Sequence, residues 1–233
     1  MNKKIGSVSE IAWIVGIILC PLGVSLSARS GLGVSMVVAP AFVLYNKLSE
    51  YFSFFTFGMA EYLIQAVLII ALCIVLKRFK LKFLLSFVTA FLCGTLIDFW
   101  GSIVGKEPVT VLWQQGFFAL LGAVITAFAI ALLLRTYLPQ EVFEVVVKEI
   151  SEKYNFKMNK VKFFYDYSSL AISIILMLLL FGKFSFNMIG IGTLLVTLIN
   201  TPLIAFFGRI FDKYFVFSSA FPQFYKTFQK VLN

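Results

Sequence analysis

The sequence contains no histidine and few charged residues. Asp, Glu, Lys and Arg make up 13% of its 233 residues, against about a quarter in soluble domains. Without histidine the chain lacks the commonest metal ligand and the usual general base of nucleophilic catalysis. Cys20, Cys73 and Cys93 lie in separate apolar runs without a CxxC pair, so they predict neither a disulfide framework nor a metal cluster. We therefore expect no enzyme, no catalytic residue, no metal and no cofactor.

The sequence is instead rich in long apolar runs. Hydrophobic residues make up 61% of the chain, and the mean hydropathy is +0.96. A helix that crosses a bilayer needs about 20 apolar residues. The predicted fold class is all-α, a polytopic membrane protein with one integral membrane domain over residues 1–233. The runs predict about six spans, near residues 11–27, 56–76, 83–104, 111–134, 162–182 and 189–208.

A seventh apolar stretch, 30–46, decides the topology. It is uncharged but is interrupted by glycine and proline. If it does not cross fully, only Arg29, Lys47, Lys106 and Lys183 lie outside, and the other 16 of the 20 Lys and Arg residues lie inside. The positive-inside rule favours that arrangement. We therefore predict a re-entrant or outer-face half-helix. Both termini are expected on the cytoplasmic side of a bacterial inner or plasma membrane.

The net charge of +9 comes from basic residues that border the apolar runs. This pattern indicates contact with membrane lipid and not with nucleic acid. Residues 140–155 form a predicted amphipathic helix, with Glu144/Lys148 and Glu149/Lys153 as favourable i,i+4 pairs. We expect this helix to lie on the cytoplasmic membrane surface; the alternative is a helix that docks a partner protein. The tail 211–233 places aromatic rings beside lysines, which favours the headgroup region.

Two glycine-broken sites suggest a transport pathway. One follows the first span and the other precedes the last span, and a proline interrupts the apolar segment beyond each. Broken helices in two halves of a chain are typical of transporter binding sites. The alternative is close helix packing through glycine. The candidate binding residues at these sites are Gly31, Gly33, Ser35, Gly190, Gly192 and Thr193.

Ionisable residues inside the apolar band supply further candidates. Charges in the membrane are costly and usually pair or face a cavity. Arg29, Glu61 and Asp98 have similar predicted depths and are expected to cluster on the outer side; the alternative is a simple ion pair or snorkelling to the outer interface. Gln65 and Asn200 are expected to extend a polar track toward the membrane centre, unless they satisfy backbone groups at a helix break.

Asp166 lies at the cytoplasmic start of the fifth predicted span. It is expected to complement the helix dipole there; the alternatives are a gate or a pair with Arg135 across the inner loop.

The fourth predicted span carries a stripe of small residues. Small residues at a spacing of four let helix backbones approach closely. We assign the stripe to packing, either between helices or between two copies of the chain. A homo-oligomer is therefore possible through Ala119, Ala123, Ala127 and Ala131.

Four motifs carry a family resemblance. Pro139-Gln-Glu opens the amphipathic helix, Lys160-Val-Lys-Phe-Phe-Tyr-Asp166 leads into a span, Gly190-Ile-Gly-Thr193 opens the next, and Phe91-Leu-Cys-Gly-Thr-Leu-Ile-Asp98 lies in the third span. With these motifs, most of the chain resembles the YczE/YyaS/YitT-like family of bacterial membrane proteins. Val34-Ser-Met-Val and Asn200-Thr-Pro-Leu depart from the pattern expected there. The resemblance implies a polytopic, transporter-like protein.

The leading function hypothesis is a small secondary transporter or facilitator for a small polar or anionic solute. Its site is expected between the two glycine-broken segments, in the outer half of the membrane. The alternative is a membrane scaffold or sensor that engages a protein partner through residues 140–155 or the aromatic tail.

Overall fold

The computed structural model describes residues 5–221, 223 and 225 of the chain. Within them the chain forms eight α-helices and two short β-strands. The long helices are α1 (Ser9–Arg29), α3 (Phe57–Leu76), α4 (Leu81–Val104), α5 (Leu112–Leu133), α7 (Met158–Phe181) and α8 (Ile191–Tyr214). The short elements are α2 (Ala39–Leu48), α6 (Val142–Tyr154), β1 (Ile5–Val8) and β2 (Phe215–Ser218).

The six long helices match the six predicted spans. Each is long and apolar enough to cross a membrane. Large apolar side chains on their outer faces, such as Ile70, Val88 and Leu179, are more than half exposed. Such exposure suits a surface covered by lipid, because hydrocarbon tails solvate apolar side chains as well as a protein core does. The predicted all-α polytopic membrane fold is confirmed.

Contacts between helix ends fix the direction of each helix. We call the end of the bundle that holds Lys80, Lys82 and Arg135 the basic end, and the other the opposite end. α1 begins at the basic end, where Trp13 Nε1 donates a hydrogen bond to the carbonyl of Pro139 (2.9 Å). It ends at the opposite end, where the carbonyl of Arg29 accepts from the Val109 N–H (3.0 Å), just before α5 begins.

Helix α2 is a half-helix that does not cross the bundle. Its 10 residues span about 15 Å, half of the hydrocarbon thickness. Residues 30–38 lead into the bundle, where the Met36 N–H donates to Thr197 Oγ1 of α8 (3.0 Å). α2 then runs back to the opposite end beside α7, with Val43 packed near Met177. This confirms the predicted half-helix, which enters the bundle and returns without crossing it.

Helix α6 is a second half-helix, and it lies inside the bundle. Its first N–H, of Val142, donates to Gln65 Oε1 near the middle of α3 (3.0 Å). Near its end, Lys153 Nζ donates to the carbonyl of Val75 close to the basic end of α3 (2.6 Å). The amphipathic helix is therefore present, but its expected position flat on the membrane surface is wrong. Its apolar residues are buried between α3, α4 and α7, so it stands upright.

The ion pairs expected along α6 do not form. Glu149 is buried and pairs with Lys80 (2.9 Å) and Lys82 of α4, and not with Lys153. Among the residues that the structure describes, no ion pair joins Glu144 to Lys148. The reason is that α6 turns Glu144 and Glu149 toward other helices, which offer partners or a cavity away from water.

The helices form two groups of four with the same order and opposite direction. In each group a long helix is followed by a half-helix and two more long helices. α1 packs on α4 as α5 packs on α8, and α2 packs on α3 and α7 as α6 packs on α7 and α3. Because α1 starts at the basic end and α5 at the opposite end, the second group is inverted with respect to the first. α1 and α5 pack on each other at the centre.

The alanine stripe of α5 is buried within the chain. Ala119, Ala123, Ala127 and Ala131 are at most 7% exposed. Beside the stripe, a Cβ added at Gly122 would lie 2.6 Å from the carbonyl oxygen of Gly23 in α1. The stripe therefore packs helices of one chain. The alternative in which it joins two copies is wrong, because no surface of the stripe is left for a partner.

The two strands join the ends of the described chain. β1 and β2 pair in parallel, from Ile5 with Phe215 to Val8 with Ser218. Glu10 accepts hydrogen bonds from Tyr137 Oη (2.6 Å) and Ser219 Oγ (2.7 Å). Both ends of the described part of the chain therefore lie at the basic end, which agrees with an even number of crossings. Tail residues 222, 224 and 226–233 lie outside the described residues.

Candidate functional site: a central cavity between two half-helices

A cavity lies at the centre of the bundle, between the N-terminal ends of α2 and α6. It leaves about 70 Å³ in which the centre of a water molecule can move, which is room for a few waters or one small solute. Aliphatic side chains such as Val24, Ile97 and Leu133 form much of its wall. Its polar lining comprises Ser35, Glu61, Thr126, Gln140, Glu141, Glu144, Lys162, Asp166, Thr197, Asn200 and Thr201.

Glu61 of α3 is the most deeply buried carboxylate of this lining. Its side chain is 2% exposed, and its Oε2 atom has no hydrogen-bond partner. On α8, Asn200 lines the same cavity, and its Oδ1 atom is also buried without a partner. Buried polar atoms nearly always have partners. These two acceptors therefore mark the cavity as a place where a donor is missing.

Gln65 satisfies a backbone group at a helix break, which is the alternative role predicted for it. It lies one turn from Glu61 and is fully buried. Its Oε1 accepts from the Val142 N–H, and its Nε2 lies 3.5 Å from Glu141 Oε2. The first N–H groups of a helix lack partners within the helix. Gln65 thus satisfies one of them and holds the start of α6 against the cavity.

The charges around the cavity are unbalanced. Lys162 and Asp166 face each other at 3.5 Å, so the alternative in which Asp166 pairs with Arg135 is wrong. Arg135 instead forms a bidentate pair with Asp212 near the end of α8. Within the described part of the chain, no ion pair joins a lysine or arginine to Glu61, Glu141 or Glu144. The lining is therefore acidic.

The expected cluster of Arg29, Glu61 and Asp98 does not form. Arg29 and Asp98 line a separate, smaller cavity of about 50 Å³ near the opposite end, whereas Glu61 faces the central cavity. Asp98 accepts hydrogen bonds from Thr56 Oγ1 (2.6 Å) and the Gly58 N–H (2.9 Å), so it caps the start of α3. Arg29 lies 5.7 Å from the ring centre of Phe118. Asp98 thus has a structural role, and of these three residues only Glu61 lines the central cavity.

The glycine-broken sites meet each other directly. Gly33 pairs with Ile189 in an isolated antiparallel bridge. Gly33 adopts φ +97°, a conformation that favours glycine, and a Cβ there would lie 3.1 Å from the carbonyl oxygen of Met188. Gly31 faces Pro108, and both Gly190 and Gly192 lie against Leu32. The segments are adjacent as expected, but backbone fills the space between them. Ser35 alone of these six residues lines the central cavity.

Thr193 is buried at the same contact. Its Oγ1 atom lies against Gly33 and has no hydrogen-bond partner. The two glycine sites are also not equivalent positions of the two helix groups, because one precedes α2 and the other precedes α8. The true counterpart of α2 is α6.

Sequence reasoning missed the acidic end of α6. It placed Glu141 and Glu144 on a water-facing surface, because acids on one side of a short amphipathic helix usually face solvent. The repeated order of long, short, long and long segments carries the missing signal. It relates 142–154 to 39–48, and so indicates a second half-helix inside the bundle.

The chain was compared with known protein families. A model described as a family of unknown function (DUF6198) matches residues 8–209. The chain belongs to this family. The DUF6198 match begins just before α1 and ends within α8, so it includes both half-helices and every residue that lines the central cavity.

One curated relative supports the resemblance to YyaS-like proteins. The chain is 27% identical over 208 residues to "Uncharacterized protein YyaS" of Bacillus subtilis (strain 168). The alignment covers 87% of this chain and 93% of the relative. No solved structure matches the chain.

Proposed function

We propose that this DUF6198 protein is a small secondary transporter or facilitator that carries a small polar solute through the central cavity. One observation carries the proposal: two half-helices from inverted helix groups place their N-terminal ends at one cavity in the middle of the bundle. Secondary transporters are often built from inverted repeats, with broken helices around a site near the bilayer midplane. Irregular backbone inside a membrane is tolerated where it lines a cavity.

The site of this proposal differs from the one that the sequence suggested. It lies toward the centre of the bundle, and not between the packed glycine segments. Glu61, Ser35 and Asn200 remain candidate solute contacts, whereas Arg29 lines the other cavity. The acidic lining gives no support to an anionic solute, and we restrict the proposal to a small polar solute.

We further propose that the basic end faces the cytoplasm of a bacterial cell membrane. The positive-inside rule supports this orientation. The same proposal groups the chain with YczE-like and YitT-like proteins. It also includes lipid contact along the long helices and a function without catalysis. The scaffold alternative gains no support from α6, whose apolar face packs against the chain's own helices.

Access to the cavity from both membrane faces tests the proposal. Cys93 lines the cavity and is 1% exposed. The test uses a variant that keeps Cys93 and carries Cys20→Ser and Cys73→Ser. If the protein is a transporter, it exposes the cavity alternately to each side of the membrane. A membrane-impermeant maleimide should then alkylate Cys93 in right-side-out vesicles and in inverted vesicles.

Phe91→Cys in a chain without other cysteines provides the matched control. Phe91 lies on the same helix at similar depth, but its side chain is half exposed on the outer face. It should not react with a water-soluble reagent. Alkylation of Cys93 from one face only, or from neither, contradicts transport and favours the scaffold.

A further inference from the structure

Two buried acceptor oxygens without hydrogen-bond partners belong to residues that line the central cavity. They are Glu61 Oε2 and Asn200 Oδ1. Glu61 is only 2% exposed, so water around the protein does not solvate it. Acceptors without donors call for a ligand that donates hydrogen bonds. A carboxylate or phosphate ligand would instead bring more acceptors to them.

The local charge requires the same kind of ligand. Lys162, the basic residue of the lining, faces Asp166. Glu61, Glu141 and Glu144 have no ion-pair partner among the described residues. The N-terminal end of α6 is a poor anion site, because Gln65 already accepts from the Val142 N–H and the carboxylates of Glu141 and Glu144 line the cavity at this end. A buried carboxylate is stabilised most by an opposite charge that also donates hydrogen bonds.

The walls of the cavity distinguish an organic cation from a metal ion. Val24, Val38 and Ile204 present hydrocarbon to the cavity, whereas hard metal ions need several oxygen ligands around them. In the described residues no group of three or more His, Cys, Asp or Glu side chains is arranged to hold a metal. Apolar walls with a few converging polar groups suit a small organic molecule.

We propose that the central cavity binds a small organic cation whose ammonium group donates hydrogen bonds to Glu61 and Asn200. The short hydrocarbon part of the cation lies against the aliphatic wall. The proposal rests on the proposed function only in treating this cavity as the solute site.

Binding of ethylammonium to the purified full-length protein tests the proposal. Ethylammonium chloride should raise the melting temperature relative to sodium chloride at equal ionic strength, and calorimetry should give a saturable affinity. Sodium propionate and ethanol, of similar size, should not stabilise the protein. Glu61→Gln keeps the shape of the side chain but removes its charge, and should weaken ethylammonium binding at least about tenfold. Asn200→Ala should weaken it by a smaller factor.

Glu107→Gln is the matched control. It also removes one carboxylate, but from an exposed position outside the helices. It should bind ethylammonium like the parent protein. Equal affinity of the parent and Glu61→Gln, or stabilisation by propionate in place of ethylammonium, overturns the proposal.

If Glu61→Gln does not fold, a second measurement tests the proposal. In the variant that keeps only Cys93, bound ethylammonium should slow alkylation of Cys93 by N-ethylmaleimide, and propionate should not. Equal rates with both salts contradict the proposal. If Cys93 is accessible from both sides but ethylammonium does not bind, the proposed ligand class is wrong and the proposed transport function stands. If ethylammonium binds but Cys93 is accessible from one side only, the proposed ligand site stands and the proposed transport function is wrong.

Discussion

Helix α6 is anchored at the basic end by one buried carboxylate. Glu149 is 1% exposed, and its oxygens lie 2.9 and 3.2 Å from Lys80 Nζ and also contact Lys82 Nζ. Arg78 lies at 3.8 Å. Because this acid belongs to α6 and its partners lie before and at the start of α4, the cluster ties the half-helix to the bundle. We predict that Glu149→Gln loosens α6.

The size of the effect follows from the burial of the cluster. Removing one partner from a fully buried ion pair costs about 3–5 kcal/mol. The side chains of Lys80 and Lys82 are 22% and 16% exposed, so water partly solvates them after the acid is neutralised. We therefore expect a loss of about 2 kcal/mol, since hydrogen bonds to charged groups contribute about 1.5–3 kcal/mol. The melting temperature of the purified protein should fall by roughly 5 °C.

The assay compares Glu149→Gln with Glu152→Gln. Glu152 lies on the same helix but is exposed, so its substitution should leave the melting temperature unchanged. Because the start of α6 lines the central cavity, Glu149→Gln should also speed alkylation of Cys93 in the variant that keeps only this cysteine. Equal melting temperatures and equal alkylation rates in the two variants would refute the anchoring role of Glu149.

Three further predictions concern the same fold. Burial works against the charge of Glu149, but hydrogen bonds from Lys82 and Lys80 outweigh it and hold its pKa below the ordinary 4.5. The anchor is therefore present above about pH 4.5 and is lost as the pH falls through the lowered pKa; the parent's melting temperature should drop there more steeply than that of Glu149→Gln. Gly122→Leu should destabilise the protein by about 3 kcal/mol or prevent folding, because it forces α1 from α5. Gly116→Leu, on the same helix with nothing within 4 Å of an added Cβ, should express normally, and equal yields contradict the packing. Reporter fusions test orientation: an external reading is expected after Val104 and Gly182 and a cytoplasmic reading after Leu76, Leu134 and Asn233, and an external C-terminus overturns it.

The long helices were predictable because their signal is local. A crossing needs a run of apolar residues of fixed length, and the sequence shows each run directly. The half-helix α2 was also predictable, since Gly31, Gly33 and Pro40 interrupt its apolar run. These features depend on neighbours in sequence and not on the packing of distant helices.

The candidate site was less predictable because its signals are ambiguous at the sequence level. Glycine is used both for ligand contact and for close backbone packing, and the contact of Gly33 with Thr193 shows packing. The acids of α6 fit a water-facing surface as well as an internal cavity. The contact of Glu149 with Lys80 joins residues 69 positions apart, so no local pattern reveals it.

The two ends of α6 are held by unlike contacts, and this difference links the anchor to the cavity. At the basic end, Glu149 and Lys153 fix the helix through charge-assisted hydrogen bonds. Such bonds are roughly twice as strong as neutral ones. At the cavity end, Gln65 offers a neutral acceptor to Val142 and a long contact to Glu141. A solute that draws Glu141 or Glu144 toward itself therefore competes with the weaker contact. These contacts therefore predict that the cavity end of α6 separates from α3 more readily than the basic end separates from the bundle.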